Sequence, residues 1–141
     1  MRRWLNVMLV VVCLALGGGA QIAWAQSTQD KVKAANERAA QDYLKDGLLQ
    51  AGEGRDAQAA AAFRRALSIK PDWPEAHSLL GSALSRAGDL HEAEAELRKA
   101  VQMKPDYAEG WNYLGEFLKE HGKEKEAQEA FAKARQYSRR P

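Results

Sequence analysis

The sequence predicts an all-α fold made of antiparallel helix pairs stacked one on the next, and three observations predict it. Gly47, Gly81 and Gly115 recur at a fixed step of 34 residues with no insertion or deletion. Gly54, Gly88 and Gly122 keep the same step, as do Ala59, Ala93 and Ala127, then Phe63, Leu97 and Phe131, then Ala66, Ala100 and Ala134. Within each period, apolar residues fall at helical rather than alternating spacing: Trp111, Leu114 and Leu118 at i, i+3 and i+7, and Leu80 with Leu84. A repeated unit of this length is one supersecondary hairpin that buries its apolar face only against its neighbours.

The chain begins with a pattern read as a secretory leader, residues 1–25. Arg2 and Arg3 supply positive charge, Leu5 to Leu16 an apolar run broken only by Asn6, and Ala23-Trp24-Ala25 a small-x-small cleavage site before Gln26. Gly17, Gly18 and Gly19 are expected to end the helical character of the run. The alternative is an uncleaved inner-membrane anchor, since Leu5 to Ala25 is close to the ~20 residues a span requires. Cys13, the sole cysteine, lies inside this run behind Val11 and Val12, which do not form a lipidation site. A mature chain without a thiol forms no disulfide and is stable by packing alone. The resulting location is periplasmic or secreted.

Residues 26–39 are polar and alanine-rich, with Val32 as their one large apolar side chain, and are expected to form a loose tail or a short lead-in helix. The repeats follow as 40–73, 74–107 and 108–141. In each, a first helix ends at Gly54, Gly88 or Gly122, where a left-handed residue costs glycine least. The second helix is stopped by Pro71 or Pro105, which lack an N–H for the ladder. Asp72-Trp73-Pro74-Glu75 and Asp106-Tyr107-Ala108-Glu109 have the layout of a capping box opening the next helix. Gly47, Gly81 and Gly115 lie mid-helix, where glycine costs about 1 kcal/mol relative to alanine. Another helix backbone is expected to pass there, with Ala59, Ala93 and Ala127 as the opposing surface and Phe63, Leu97 and Phe131 beside it.

These residues resemble the tetratricopeptide repeat family over about residues 40–137. Trp111, Leu114, Gly115, Ala127, Phe131 and Ala134 stand at the family's pattern positions in the third repeat. Leu80, Gly81, Ala93, Leu97, Ala100 and Pro105 do so in the second, with His77 in the tryptophan slot, and Tyr43, Gly47, Ala59, Phe63, Ala66 and Pro71 in the first. The first repeat departs at Asp46 and Gln50, so its opening helix sits differently or is partly solvated. The resemblance implies a right-handed superhelical array whose first helices line a concave groove that binds a peptide or helix of another protein.

Carried over by position, the groove candidates are Gln41, Leu44, Lys45 and Leu48, then Glu75, Ser78, Leu79, Ser82, Ser85 and Arg86. In the third repeat they are Glu109, Asn112, Tyr113, Glu116, Lys119 and Glu120. The family's carboxylate clamp of Lys, Arg and Asn is missing, because its positions carry Leu44, Leu48, Leu79, Glu109 and Tyr113. The groove grades from apolar at Leu44, Leu48 and Leu79 to acidic at Glu109, Glu116 and Glu120. Leu44 and Leu48 are alternatively covered by the 27–39 segment.

Composition and motifs argue against other classes. Lys and Arg total 21 against 19 Asp and Glu, and two of the arginines lie in the leader, so the remainder is balanced. A balanced chain has no general attraction to nucleic acid or anionic lipid, and membrane association is expected only if the leader stays attached. His77, His91 and His121 form no i, i+4 pair, so no metal or other cofactor is expected. Ser78, Ser82 and Ser85 have no visible histidine–carboxylate partners, so no catalytic residue is assigned and no enzyme is expected. The function expected is that of an interaction scaffold or adaptor in a bacterial envelope complex. The second reading is a self-associating subunit, with Phe117, Leu118 and Tyr137 exposed at the end of the array and driving a homodimer.

Overall fold

The computed structural model describes residues 2–139, with side chains from residue 25 to 139. The leader reading rests on side chains outside these described residues. Two units divide the chain, residues 1–37 and 38–141. The first is helical from Arg2 onward, as part of α1 (Arg2–Gly52), and residues 25–37 are exposed. Gly17 to Gly19 do not end this helix. Glycine weakens a helix but keeps its N–H, so it does not break the ladder as proline does. Among the described residues, no helix is long and apolar enough to cross a membrane.

The second unit contains the end of α1 and five further helices: α2 (Asp56–Ile69), α3 (Pro74–Ala87), α4 (Leu90–Met103), α5 (Ala108–Glu120) and α6 (Glu124–Ser138). It is an all-α array, as the 34-residue period predicts. α3 packs on α4 and α5 on α6 as hairpins, and α2 on α3, α4 on α5 and α3 on α5 join successive repeats.

The turns follow from sequence chemistry. Gly88 closes α3 at φ 95° and ψ 1°, a left-handed residue whose N–H returns to the Leu84 and Ser85 carbonyls. Gly54 and Gly122 repeat it at φ 73°. α2 and α4 stop two residues before Pro71 and Pro105. Lys70 (φ −126°, ψ 83°) and Lys104 (φ −134°, ψ 85°) leave the helical region, as a residue preceding proline must when the ring crowds it.

The capping boxes do not form. Trp73 and Tyr107 occupy the N-cap positions of α3 and α5, with no side-chain cap hydrogen bond. Because α3 begins at Pro74, Asp72 sits one residue too early and Glu75 one turn position too soon for the reciprocal bonds. Ring nitrogens act near these helix starts instead. Trp111 Nε1 donates to the Pro105 carbonyl at 2.8 Å, and His77 Nε2 makes the equivalent contact with the Pro71 carbonyl at 2.9 Å.

The mid-helix glycines accept a side chain rather than a helix backbone. A Cβ on Gly47 would lie 2.5 Å from Phe63 Cε1, on Gly81 2.6 Å from Leu97 Cγ, and on Gly115 2.7 Å from Phe131 Cε1. At Gly81 a backbone atom is also among the nearest neighbours, the Ala93 carbonyl oxygen at 3.0 Å. Each Phe or Leu therefore enters a notch in the facing helix of its own hairpin. Phe63 and Leu97 are buried to 1 % exposure, and Ala59, Ala93, Ala66 and Ala100 are fully buried around them. This apolar seam carries the array's stability, at about 25 cal/mol per Å² of apolar surface removed from water.

Phe117 and Leu118 are buried, at 4 % and 1 %, so they provide no apolar end for self-stacking. α5 lies between the preceding repeat and α6, and Phe117 stacks on His121 with ring centroids 4.3 Å apart. The outer face of α6 is polar where earlier repeats are apolar. Arg135 is exposed at the position of Val101, which is 5 % exposed, and of half-buried Leu67. The first helix is solvated in the same sense: Asp46 is exposed, and accepts a hydrogen bond from Gln50 Nε2 at 3.3 Å.

Candidate functional site

α3 and α5 bring their groove residues together across one cleft of about 110 Å³. Ser82, Ser85 and Arg86 line it from α3, and Tyr113, Glu116 and Glu120 from α5, with buried Leu97 and Phe117 also on its walls. Helical spacing places these side chains: 82, 85 and 86 share one face of α3, and 113, 116 and 120 one face of α5.

Arg86 is fixed within the cleft. Its Nε donates to Asp56 Oδ1 at 2.6 Å and its Nη1 to Ser82 Oγ at 2.9 Å. Asp56 opens α2, so the pair also ties the second repeat to the first. No repeat position signals Asp56, because its equivalent in the next repeat is Leu90. Sequence periodicity therefore misses it, and Leu97 is read as packing alone.

Six of the expected groove residues, Ser82, Ser85, Arg86, Tyr113, Glu116 and Glu120, meet in this cleft; the others lie elsewhere. Ser78 is fully buried and its Oγ donates to the Pro74 carbonyl at 3.3 Å, so it offers nothing to a ligand. Glu75 is half-buried and accepts from Lys104 Nζ at 3.0 Å. Burial alone would raise its pKa, but a backbone hydrogen bond and the Lys104 ammonium outweigh that and hold the carboxyl below its ordinary range. Leu79 is half-buried against the core. Asn112, Lys119 and Glu109 are exposed on α5. In the first repeat, Leu44 is half-buried against the core and Leu48 is 46 % exposed, so Leu48 remains open to solvent.

The histidines are structural or surface residues. His77 is bound on both ring nitrogens, His121 Nδ1 meets the Phe117 carbonyl at 2.6 Å, and His91 is exposed. Among the described residues, no group of His, Cys, Asp and Glu could hold a metal ion.

Charge pairs join successive repeats at the same period. Arg64 Nη2 lies 2.6 Å from Glu92 Oε2, and Arg98 Nη2 2.6 Å from Glu126 Oε2. Lys123 Nζ bonds Glu94 at 2.8 Å. The Lys123 hydrogen bond holds the Glu94 carboxyl below its ordinary range against burial, which raises it, and Arg98 adds to the lowering. The repeats are thus held in register around the cleft by polar as well as apolar contacts.

The family model of the tetratricopeptide repeat matches residues 74–117. No curated protein matches the chain. Among solved structures, the TPR domain of Sgt2 from Aspergillus fumigatus superposes with a TM-score of 0.67 at 24 % identity, over 70 % of this chain and 66 % of that one. MamA gives a TM-score of 0.64 at 22 % identity, over 72 % of this chain and 60 % of that one. The first TPR of Spaghetti (RPAP3), bound to the HSP90 peptide SRMEEVD, gives 0.67 at 18 % identity, over 72 % and 80 %. The chain spans less than two thirds of the length of the first two, and at these identities the likeness concerns the fold. The 34-residue period and the glycine-notched hairpins repeat the pattern of the matched stretch on either side of residues 74–117, and the chain is similar to tetratricopeptide repeat proteins in fold.

Proposed function

We propose that this chain is an interaction scaffold or adaptor of the bacterial cell envelope that binds a peptide or helix of another protein between α3 and α5. The observation that carries the reading is the cleft itself. Two rigid helices present an apolar floor, hydroxyls, an aromatic ring and charges to one open channel. Spaghetti's TPR domain, of like fold, is seen with a bound peptide, which supports a protein partner. Export is supported by Arg2 and Arg3, the Leu5–Leu16 run and Ala23-Trp24-Ala25. The reading assigns no reaction to the groove.

The test is affinity capture of a partner by the full mature chain, compared with Ser85→Glu and Tyr113→Ala, on the two walls of the cleft. Both variants are expected to fold, by circular dichroism, and to lose the partner. Retention by both would place binding elsewhere. The N-terminus of the protein from cells is expected at Gln26, and a chain beginning at Met1 would contradict export with cleavage.

A further inference from the structure

We propose that the cleft between α3 and α5 receives a lysine or arginine side chain of the partner segment; this deepens the groove reading above and rests on it. The argument is one of unmatched charge. Arg64, Arg86 and Arg98 are each already paired with carboxylates, and Arg86, the one cation on the cleft wall, is held by Asp56 and Ser82. Glu116 and Glu120 lie one helical turn apart on the opposite wall and enter no ion pair among the described residues. An arriving cation therefore meets two free carboxylates, and an arriving anion meets the same two as repulsion.

The rest of the cleft fits the same occupant. Leu97 and Phe117 give an apolar surface for a (CH₂)₃ or (CH₂)₄ stem, which lysine and arginine bury while keeping the charged head near water. Tyr113 is half-buried and lines the same wall as the two carboxylates, and an aromatic ring there favours a cation. The peptide held by Spaghetti, SRMEEVD, carries acidic residues toward its end, and this wall opposes that chemistry.

The test titrates the ¹⁵N-labelled mature chain with capped Ala/Ser nonapeptides that differ only at their centre: Lys, Arg, norleucine or Glu. SRMEEVD is the fifth probe. The Lys and Arg peptides are expected to shift the amides of Ser85, Tyr113, Glu116 and Glu120 at concentrations about tenfold below the norleucine peptide. The Glu peptide and SRMEEVD are expected to leave them unmoved. The double variant Glu116→Gln/Glu120→Gln is expected to erase the difference between lysine and norleucine while norleucine binding is unchanged. Equal binding of norleucine and lysine, binding of the acidic probes, or no shift at these amides overturns the proposal. Shifts of the same amides on concentrating the chain alone would make a second copy the occupant and overturn it too. A norleucine peptide seated in the cleft without gain from charge leaves the groove reading intact. Absence of every peptide shift together with capture unaffected by Ser85→Glu and Tyr113→Ala removes that reading as well.

Discussion

His77 Nδ1 lies 2.5 Å from Glu96 Oε2, joining α3 to α4 through a histidine that is nearly fully buried. Its other nitrogen faces the Pro71 carbonyl, which has no proton to give, so Nε2 donates there. In the neighbouring repeats the equivalent pairs are Tyr43 with Ala62 and Trp111 with Ala130. By position a large ring is matched with a small residue there, and the smaller ring of the middle repeat with a carboxylate.

This pairing predicts strong coupling. His77→Trp alone is expected to destabilise by about 1–3 kcal/mol, through overpacking and an orphaned Glu96. Glu96→Ala alone is expected to cost about 1 kcal/mol. The double variant, which recreates the Trp/Ala pair of the third repeat, is expected to recover at least about 1 kcal/mol relative to the sum. Urea unfolding measures the cycle, and additive effects would contradict the pairing.

The glycine notch predicts opposite signs for one substitution at two sites. Gly81→Ala forces a Cβ to 2.6 Å from Leu97 Cγ and 3.0 Å from the Ala93 carbonyl. The expected loss is about 1–3 kcal/mol despite alanine's better helix propensity. Gly52→Ala meets nothing within 4 Å in the last turn of α1 and is expected to be neutral or to stabilise by up to about 1 kcal/mol. Thermal melts of the two variants decide it, and a stabilised Gly81→Ala would remove the notch.

Glu94 predicts an acid-side dependence. Its folded pKa is lowered from 4.5 by Lys123 and Arg98, so its contribution is complete above that value and disappears as pH falls through the folded pKa. Glu94→Gln is expected to cost on the order of 0.5–1 kcal/mol at pH 7, since the pair is partly solvated. The gap to wild type is expected to close as the solution is acidified below 4.5. A gap that stays constant down to complete protonation would show that the ion pairs contribute nothing.

How much of this was legible beforehand varied with the range of the interaction. Gly54, Gly88 and Gly122, and the prolines at 71 and 105, act on their own backbone, so the hairpins and their turns could be read directly. The capping boxes failed because a shift of one residue at Pro74 moves Asp72 out of reach, and sequence patterns locate helix starts less finely than that. The glycines were read as close-approach points, but their occupant depends on which face of the facing helix turns inward, and that is Phe63, Leu97 and Phe131. In the groove, the residues named on α3 and α5 came from the resemblance to the repeat family, and six of them line one cleft. Burial of Ser78 and the Asp56–Arg86 lock were not legible, because both depend on tertiary contacts that no repeat position carries.

Tyr107 predicts an alkaline dependence of opposite sense. It is 9 % exposed, and its hydroxyl donates to Glu109 Oε2 at 3.4 Å. Burial first, then the charges of Glu109 and Glu75, pushes its pKa well above the ordinary tyrosine value of 10. The neutral phenol is therefore favoured by folding. Its stabilisation is complete below pH 10 and is lost as pH rises toward the folded pKa. Absorbance titration is expected to show Tyr107 ionising only with loss of helical signal, and Tyr107→Phe to lessen that alkaline loss. Four tyrosines ionising together in a folded chain would contradict it.

The most direct test of the account is where a partner touches the array in cells. A photo-crosslinking residue at Ser85 or Tyr113, on the two walls of the cleft, is expected to yield one discrete adduct with another protein. The same residue at Lys99, exposed on α4, is expected to yield none. An adduct from position 99 with silence at 85 and 113 would contradict the claim that the α3–α5 cleft is the binding surface.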